Sequence, residues 1–211
     1  RVSLVGSEMC IRDRVRASIS LISSYGMSKN QQNRIKLAAV IEFLHTATLV
    51  HDDIIDNSDL RRGKTTVNVA WSNSHGVLIG DFIYSKAFML MNEIGNFKVI
   101  DELSSATNKI AEGELMQLAN KNNLNTSLQQ LKKISYYKTG RLFEASAKSA
   151  AMLSGKSIPF IENISKAAKL IGIAFQVRDD LLDYGVSKGN IGKPEMLSLI
   201  HISEPTRLTR I

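Results

Sequence analysis

The chain has 211 residues, 44% of them hydrophobic, and a formal charge of +7 at pH 7, enough to bury a sizeable core as one domain. No apolar run approaches the ~18 residues of a membrane span: the longest candidates are broken by Glu42, His45, Gln176 or Arg178, and no compact apolar region follows the first basic residues as a secretory signal requires. The basic balance lacks the Lys/Arg block or aromatic interleaving of a nucleic-acid binder, so neither a transmembrane segment nor a nucleic-acid partner is expected, and small anionic substrates suit the charge.

Three prolines and 6% aromatic residues, with long stretches of helix formers, predict an all-α protein. Residues 31–56 read as one long helix with Ile35, Ala38, Ala39, Ile41, Leu44, Ala47, Thr48 and Val50 forming its apolar surface. Residues 57–73 are polar, carry Gly63 and read as loop or short turns. Helical spacing resumes over 74–94 through Val77, Ile79, Phe82, Ile83, Ala87, Phe88 and Met91, and Gly95-Asn96 ends it. A further helix is predicted over 97–120, followed by a turn at 122–125. Thr126, with Gln129 three positions on, has the pattern of a capping box opening a helix that runs to about residue 155. Ile158-Pro159 opens the last helix, and 185–194 reads as loop. No period-two alternation suggests a strand, and no repeat of 20–50 residues is present.

The two ends are set apart from this pattern. One DNA segment, read in opposite orientations, can encode both residues 197–207 and residues 4–13, and it looks like a transposon-type sequencing adapter. Residues 1–14 and 197–211 are therefore expected to be non-native, with a truncated catalytic domain over 15–196. The single cysteine, Cys10, falls in the first of these stretches, so cysteine usage says nothing about redox compartment.

The chemistry is concentrated in a motif that occurs twice, Asp52-Asp53-Ile54-Ile55-Asp56 and Asp179-Asp180-Leu181-Leu182-Asp183. On a helix the first and last aspartates of each motif lie one turn apart on one face, where like charges repel. A hard divalent cation resolves that conflict, because carboxylates are good oxygen ligands for magnesium. Arg61 and Arg62 follow the first motif on a polar loop, and guanidinium groups can clamp diphosphate oxygens bidentately. Lys138-Thr139 sits within a predicted helix, Gln176 precedes Asp179 by one turn, and His45 lies two turns before Asp52 on nearly the same face. A histidine in that setting is more often a satisfied core residue than a ligand.

Taken together, the stretches Glu42-Phe-Leu-His-Thr-Ala-Thr-Leu-Val-His-Asp-Asp-Ile-Ile-Asp56, Leu60-Arg-Arg-Gly63, Gly80-Asp-Phe82, Ala111-Glu-Gly-Glu114, Lys138-Thr139, Leu142-Phe-Glu-Ala145 and Phe175-Gln-Val-Arg-Asp-Asp-Leu-Leu-Asp183 resemble the trans-isoprenyl diphosphate synthases, the polyprenyl synthetase family. The resemblance implies an isoprenoid-synthase-type helical bundle around a central cavity, with the two acidic motifs facing each other at its mouth. It implies a reaction in which an allylic diphosphate ionises, isopentenyl diphosphate attacks the cation, and a proton is lost. Asp52, Asp53, Asp56, Asp179, Asp180 and Asp183 would hold Mg2+ ions with the diphosphate. Asp52, Asp56, Arg61, Lys138 and Asp179 would carry catalysis. Arg62 and His45 would hold isopentenyl diphosphate, while Arg61, Lys138, Thr139, Gln176 and Lys193 would hold the allylic diphosphate.

The positions before the first aspartate set chain length in this family. Thr48 and Ala47 are small and Leu44 lies about a turn deeper, so a long-chain product of the kind used for quinone side chains is expected from a cytoplasmic homodimer. Two departures stand against the family pattern. The Gly-Gly-Lys-Arg region expected before Val15 is absent, as are the helices expected after Lys193, so the chain itself is expected to be inactive or nearly so. Other readings stay open: a terpenoid cyclase or head-to-head synthase, a non-catalytic subunit regulating an active partner, or a helical structural protein with incidental acidic patches.

Overall fold

The computed structural model describes residues 4–26, 31–120, 123 and 126–183. Among them the chain is helical apart from one two-stranded hairpin, in the order α1 (Leu4–Ser23), α2 (Gln31–Ile55), β1 (Leu60–Arg61), β2 (Lys64–Thr65), α3 (Val67–Ala70), α4 (Asn73–Ile94), α5 (Phe97–Ala119), α6 (Leu128–Ser135), a π-helical turn (Tyr136–Gly140), α7 (Arg141–Leu153) and α8 (Ile158–Asp183). The 185–194 loop and Lys193 lie outside the described residues. The all-α expectation holds. Helix α1, which the sequence pattern left unread, crosses the boundary expected at residue 15.

Helix α2 lies against α1, α4 and α7, and α7 lies against α1, α5 and α8. Leu37, Val40, Ile41 and Leu44 of α2 meet Ala87 and Met91 of α4, Val99 and Leu103 of α5, and Ala145 and Ala150 of α7 in one buried cluster. Burial of this kind contributes about 2 kcal/mol per large side chain and fixes which face of each helix turns inward. Two apolar surfaces differ from expectation. Ile35 is exposed, so the buried stripe of α2 is turned toward Leu37 and Val40. On α4, Phe82, Val77 and Phe88 are exposed while Gly76, Gly80, Ala87 and Met91 face inward. Helix α4 carries apolar side chains on more than one face, and among the described residues those at 77, 82 and 88 stay exposed.

Close approach of α4 to the C-terminal half of α2 depends on glycine. A methyl group at Gly76 would sit 2.6 Å from Ile54 Cδ1, and one at Gly80 would run into the His51 ring. Both glycines lie one turn apart on α4, so the turn of α2 that ends in the first aspartate motif seats directly on the α4 backbone.

Boundaries follow local chemistry. Gly95 closes α4 in the left-handed region (φ 66°), its N–H reaching Met91 O, and the Asn96 side chain then accepts from Lys98 N and Val99 N to open α5. The expected capping box is displaced by one residue: Ser127 caps α6 and Gln130 returns the bond to Ser127 N. Thr126-Ser127 and Gln129-Gln130 offer the same pattern in two registers, and the second is used. The expected unbroken helix to about residue 155 is interrupted at Tyr136–Gly140 by a wider turn. Between α5 and α7, Glu102 accepts from Arg141 at 2.5 Å and pairs with Lys148 at 2.6 Å. Burial alone would raise the Glu102 carboxyl, but the bonds from Lys148 and Arg141 outweigh it and hold the pKa below the ordinary value.

Candidate active site

The first aspartate motif occupies the last turn of α2. Asp56 N–H bonds to Asp52 O at 2.9 Å, which keeps helical spacing between them and stacks their side chains on one face. Asn57 (φ 48°) then breaks the helix, and Ser58 N returns to Asp53 O at 2.8 Å. The chain turns through a hairpin pairing Leu60 with Thr65 and Arg61 with Lys64. Arg62 (φ 56°) and Gly63 (φ 72°) form its tip, the two positive-φ positions of a tight hairpin turn. A non-glycine residue there costs of order 1 kcal/mol and is held by its surroundings. At the base of the hairpin the Thr66 hydroxyl donates to Ser58 O at 2.7 Å and Asn68 donates to the same oxygen at 3.2 Å, which ties its two ends together.

Asp53 does not face the same way as its neighbours. It is buried, and both its oxygens accept from Arg61 Nε at 2.7 and 2.8 Å, with a further guanidinium nitrogen at 2.7 Å. Asp53 and Arg61, expected as a metal ligand and a diphosphate clamp, are thus held together as a bidentate ion pair that ties the hairpin to α2.

Asp52 lies among other carboxylates. Burial pushes its carboxyl up to about 7; Glu114 adds to the rise, Lys138 opposes it, Asp56 adds again and Arg61 opposes. Glu114 comes from α5 and bonds Lys138 of the π turn at 2.8 Å. Next to Lys138, the Thr139 hydroxyl donates to Gln176 Oε1 of α8 at 2.5 Å. Gln176 leads one turn along α8 to Asp179, whose side chain is half-buried. Lys138 thus acts on the charge of Asp52, while the neighbouring Thr139 bonds Gln176, one turn before Asp179. Asp180 and Asp183 continue α8, and their side chains lie outside the described set. Tyr84 of α4 faces the same charges: burial, then Asp52, Asp81 and Glu114, lift its phenol to about 12, so it stays protonated. Glu114 belongs to the Ala111–Glu114 motif but carried no assignment from sequence.

His45 sits two turns deeper. Burial, with Arg16 and then Arg61 beside it, drives its pKa down to about 3, and Arg16 of α1 approaches its Nε2 at 3.1 Å. A guanidinium only donates, so Nε2 accepts and the ring proton rests on Nδ1. Arg16 is buried, with its guanidinium 4.5 Å from the centre of the Phe143 ring. Sequence reasoning missed Arg16 because it stands beside the stretch set apart as non-native. Below these groups Leu44 and Ala47 are fully buried and Thr48 is half-buried, its hydroxyl bonded to His45 O at 2.7 Å.

Among the described residues no three acidic, histidine or cysteine side chains converge into a ready-made metal cage. The donor set still suits a hard cation. Burial first, then Glu114 and Asp56, push the Asp52 carboxyl up to about 7, so these oxygen donors stand where an added positive charge would be favourable. Asp53 is the exception, because its oxygens are taken by Arg61.

The polyprenyl synthetase family model matches residues 12–198, and the chain belongs to that family. It is 42% identical over 180 residues to the octaprenyl diphosphate synthase of Escherichia coli K12, covering 85% of this chain and 56% of that protein. It is 41% identical over 181 residues to the geranyl-diphosphate-specific all-trans-nonaprenyl-diphosphate synthase of Rhodobacter capsulatus, covering 85% and 55%. Among solved structures, the polyprenyl synthase of Caulobacter crescentus CB15, complexed with calcium and isoprenyl diphosphate, superposes with a TM-score of 0.84 at 36% identity, covering 89% of this chain and 57% of that one. The chain spans a little over half the length of these three proteins.

Proposed function

We propose that the chain carries the catalytic site of a trans-polyprenyl diphosphate synthase, a prenyltransferase that condenses an allylic diphosphate with isopentenyl diphosphate. The observation that carries this reading is the placement of Lys138, which acts on the charge of Asp52, beside Thr139, whose hydroxyl bonds Gln176 one turn before Asp179. Asp52 and Asp56 on one wall, and Asp179 with Asp180 and Asp183 on the other, would hold Mg2+. When bound, that ion supplies the concentrated positive charge that favours departure of diphosphate. Lys138 and the Thr139 hydroxyl bind the allylic diphosphate, with Gln176 orienting Thr139. Arg61 adds positive charge while Asp53 fixes its guanidinium, and Lys193 completes the set. Arg16, Arg62 and the neutral His45 hold isopentenyl diphosphate. The allylic C–O bond breaks, a C–C bond forms to isopentenyl diphosphate, and one proton leaves. The apolar side chains beneath the site keep water from the cation.

Leu44, Ala47 and Thr48 place no bulky aromatic in the first layer below Asp52, which supports a long-chain product for quinone side chains. The exposed stripe Leu78, Phe82 and Met89 on α4 supports a homodimer joined along that helix. No described helix is long and apolar enough to cross a membrane, and we place the enzyme in the cytoplasm. Calorimetric titration of the chain with inorganic pyrophosphate tests the site. Binding should require Mg2+ and weaken at least tenfold in Asp52→Ala and Asp179→Ala; binding that ignores Mg2+ or these substitutions refutes it. In a chain extended to the length of its relatives, the same substitutions should abolish incorporation of labelled isopentenyl diphosphate.

A further inference from the structure

The helix that carries Lys138 and Thr139 is wound wide for one turn. Ser135 (φ −58°, ψ −41°) and Arg141 (φ −66°, ψ −37°) are both helical, so α6, the π turn and α7 form one continuous rod. A π turn holds about one residue more than an α turn, so everything beyond it is rotated by roughly 100° against an uninterrupted helix.

One contact depends on that rotation. Tyr136, the first residue of the turn, donates its hydroxyl to Glu144 Oε2 of α7 at 2.5 Å. In an unbroken α-helix, residues eight apart point roughly 80° away from each other; with one residue absorbed by the wide turn they behave as if seven apart, roughly 20° off one face. The Tyr136–Glu144 bond therefore forms readily only while the wide turn is present. The other Glu144 oxygen accepts from Ser165 Oγ of α8 at 2.9 Å. Burial and the adjacent Glu144 both raise the Tyr136 phenol, so it remains a donor at ordinary pH. Neighbouring helices close on the turn through glycine: a methyl at Gly113 of α5 would lie 2.8 Å from Tyr137 Cβ and 3.0 Å from Lys138 N, and one at Gly172 of α8 would lie 2.7 Å from Gly140 Cα.

We propose that Tyr136, Glu144 and Ser165 form a latch that holds the wide turn and thereby sets where Lys138 and Thr139 stand. They are positioning residues: none of them reaches the aspartates, and each acts through the turn. The link to diphosphate rests on the function proposed above, whereas the latch itself does not.

Two measurements separate the two claims. Hydrogen exchange followed by mass spectrometry judges the latch without any ligand. Tyr136→Phe, which keeps the ring and removes one oxygen, should speed exchange of the amides over residues 138–141 at least tenfold and leave peptides of α2 and α4 unchanged. Unchanged exchange at 138–141, or uniform acceleration along the chain, overturns the latch. Should Tyr136→Phe lose its helical circular dichroism, Ser165→Ala removes the outer bond alone and is read the same way, with a smaller local effect expected. Glu144→Gln, which keeps an acceptor, should exchange more slowly at 138–141 than Glu144→Ala; equal rates also count against the latch. Titration with inorganic pyrophosphate and Mg2+ then tests the link. Tyr136→Phe should weaken binding about tenfold in the parent but cause no further loss in a Lys138→Ala/Thr139→Ala background, because its effect passes through those residues. An equal loss in both backgrounds overturns the positioning role. If Lys138→Ala/Thr139→Ala binds as the parent does, the diphosphate reading fails while the exchange result still decides the latch.

Discussion

Replacing Asp52 by asparagine is expected to stabilise the metal-free chain above neutral pH. Burial, reinforced by Glu114, lifts the Asp52 carboxyl from 3.8 to about 7 against the opposing pull of Lys138. Between those values the folded state keeps a proton that the unfolded state has released. Stability therefore falls as pH rises through this window, and the loss is complete above about pH 7. At ~1.4 kcal/mol per unit, the full penalty is about 4 kcal/mol. The side chain is half-buried, and water at its exposed edge screens the charge, leaving about 2 kcal/mol. Asparagine never carries that charge. Variant and parent should differ by about 2 kcal/mol at pH 8, roughly 4–8 °C in Tm for a chain of this size, and by almost nothing near pH 4. Urea melts followed by circular dichroism at pH 4, 6 and 8 measure the gap, and the titration of every other group is common to both proteins. A gap that does not change with pH, or a variant less stable at pH 8, would refute the assignment of Asp52 to a repulsive, desolvated position. Mg2+ should raise the parent's midpoint at pH 8 and leave the variant nearly unmoved, since a ligand of the folded state alone stabilises by mass action.

His45 has the opposite sign. Its folded pKa of about 3 lies below the ordinary 6.5, so the unfolded state binds the extra proton and stability is lost as pH falls from 6.5; His45→Gln should lessen the loss between pH 6.5 and 5 by about 2 kcal/mol in urea melts, and an unchanged acid limb would contradict this. Arg61→Ala removes the guanidinium that holds both oxygens of buried Asp53 and should cost about 3 kcal/mol, much of it recovered by adding Asp53→Asn; no recovery in the double variant would show that the pair does not govern the loss. Ala47→Phe, in a chain of the relatives' length, should shift products to short prenyl diphosphates while the first condensation survives. Ala47 is fully buried, so overpacking of about 1–3 kcal/mol should accompany the shift, and an unchanged product distribution on chromatography would place the floor of the tail path elsewhere.

What was legible in the sequence is what short-range geometry dictates. Asp52 and Asp56 lie about 40° apart on an α-helix while Asp53 lies roughly 100° from Asp52, so the motif contains two outward partners and one odd member. The first and last aspartates share a face by that angle, and the structure pairs the odd member, Asp53, with Arg61. The Ser127 cap was misplaced by one residue because Thr126-Ser127 and Gln129-Gln130 satisfy one rule in two registers. Other features have no local signal. Tyr136-Tyr-Lys-Thr-Gly140 is compatible with an ordinary helix, and what widens it comes from Glu144, Ser165, Gly113 and Gly172, which reach the turn only after α5, α7 and α8 have packed. Arg16 is a surface residue by composition, and it becomes part of the site only because Phe143, Phe175 and His45 surround it. Acidic motifs can be read one helix at a time because their repulsion is local. The lysine that answers the first of them depends on where the π turn brings Lys138 against Glu114 of α5, and long-range packing alone decides that.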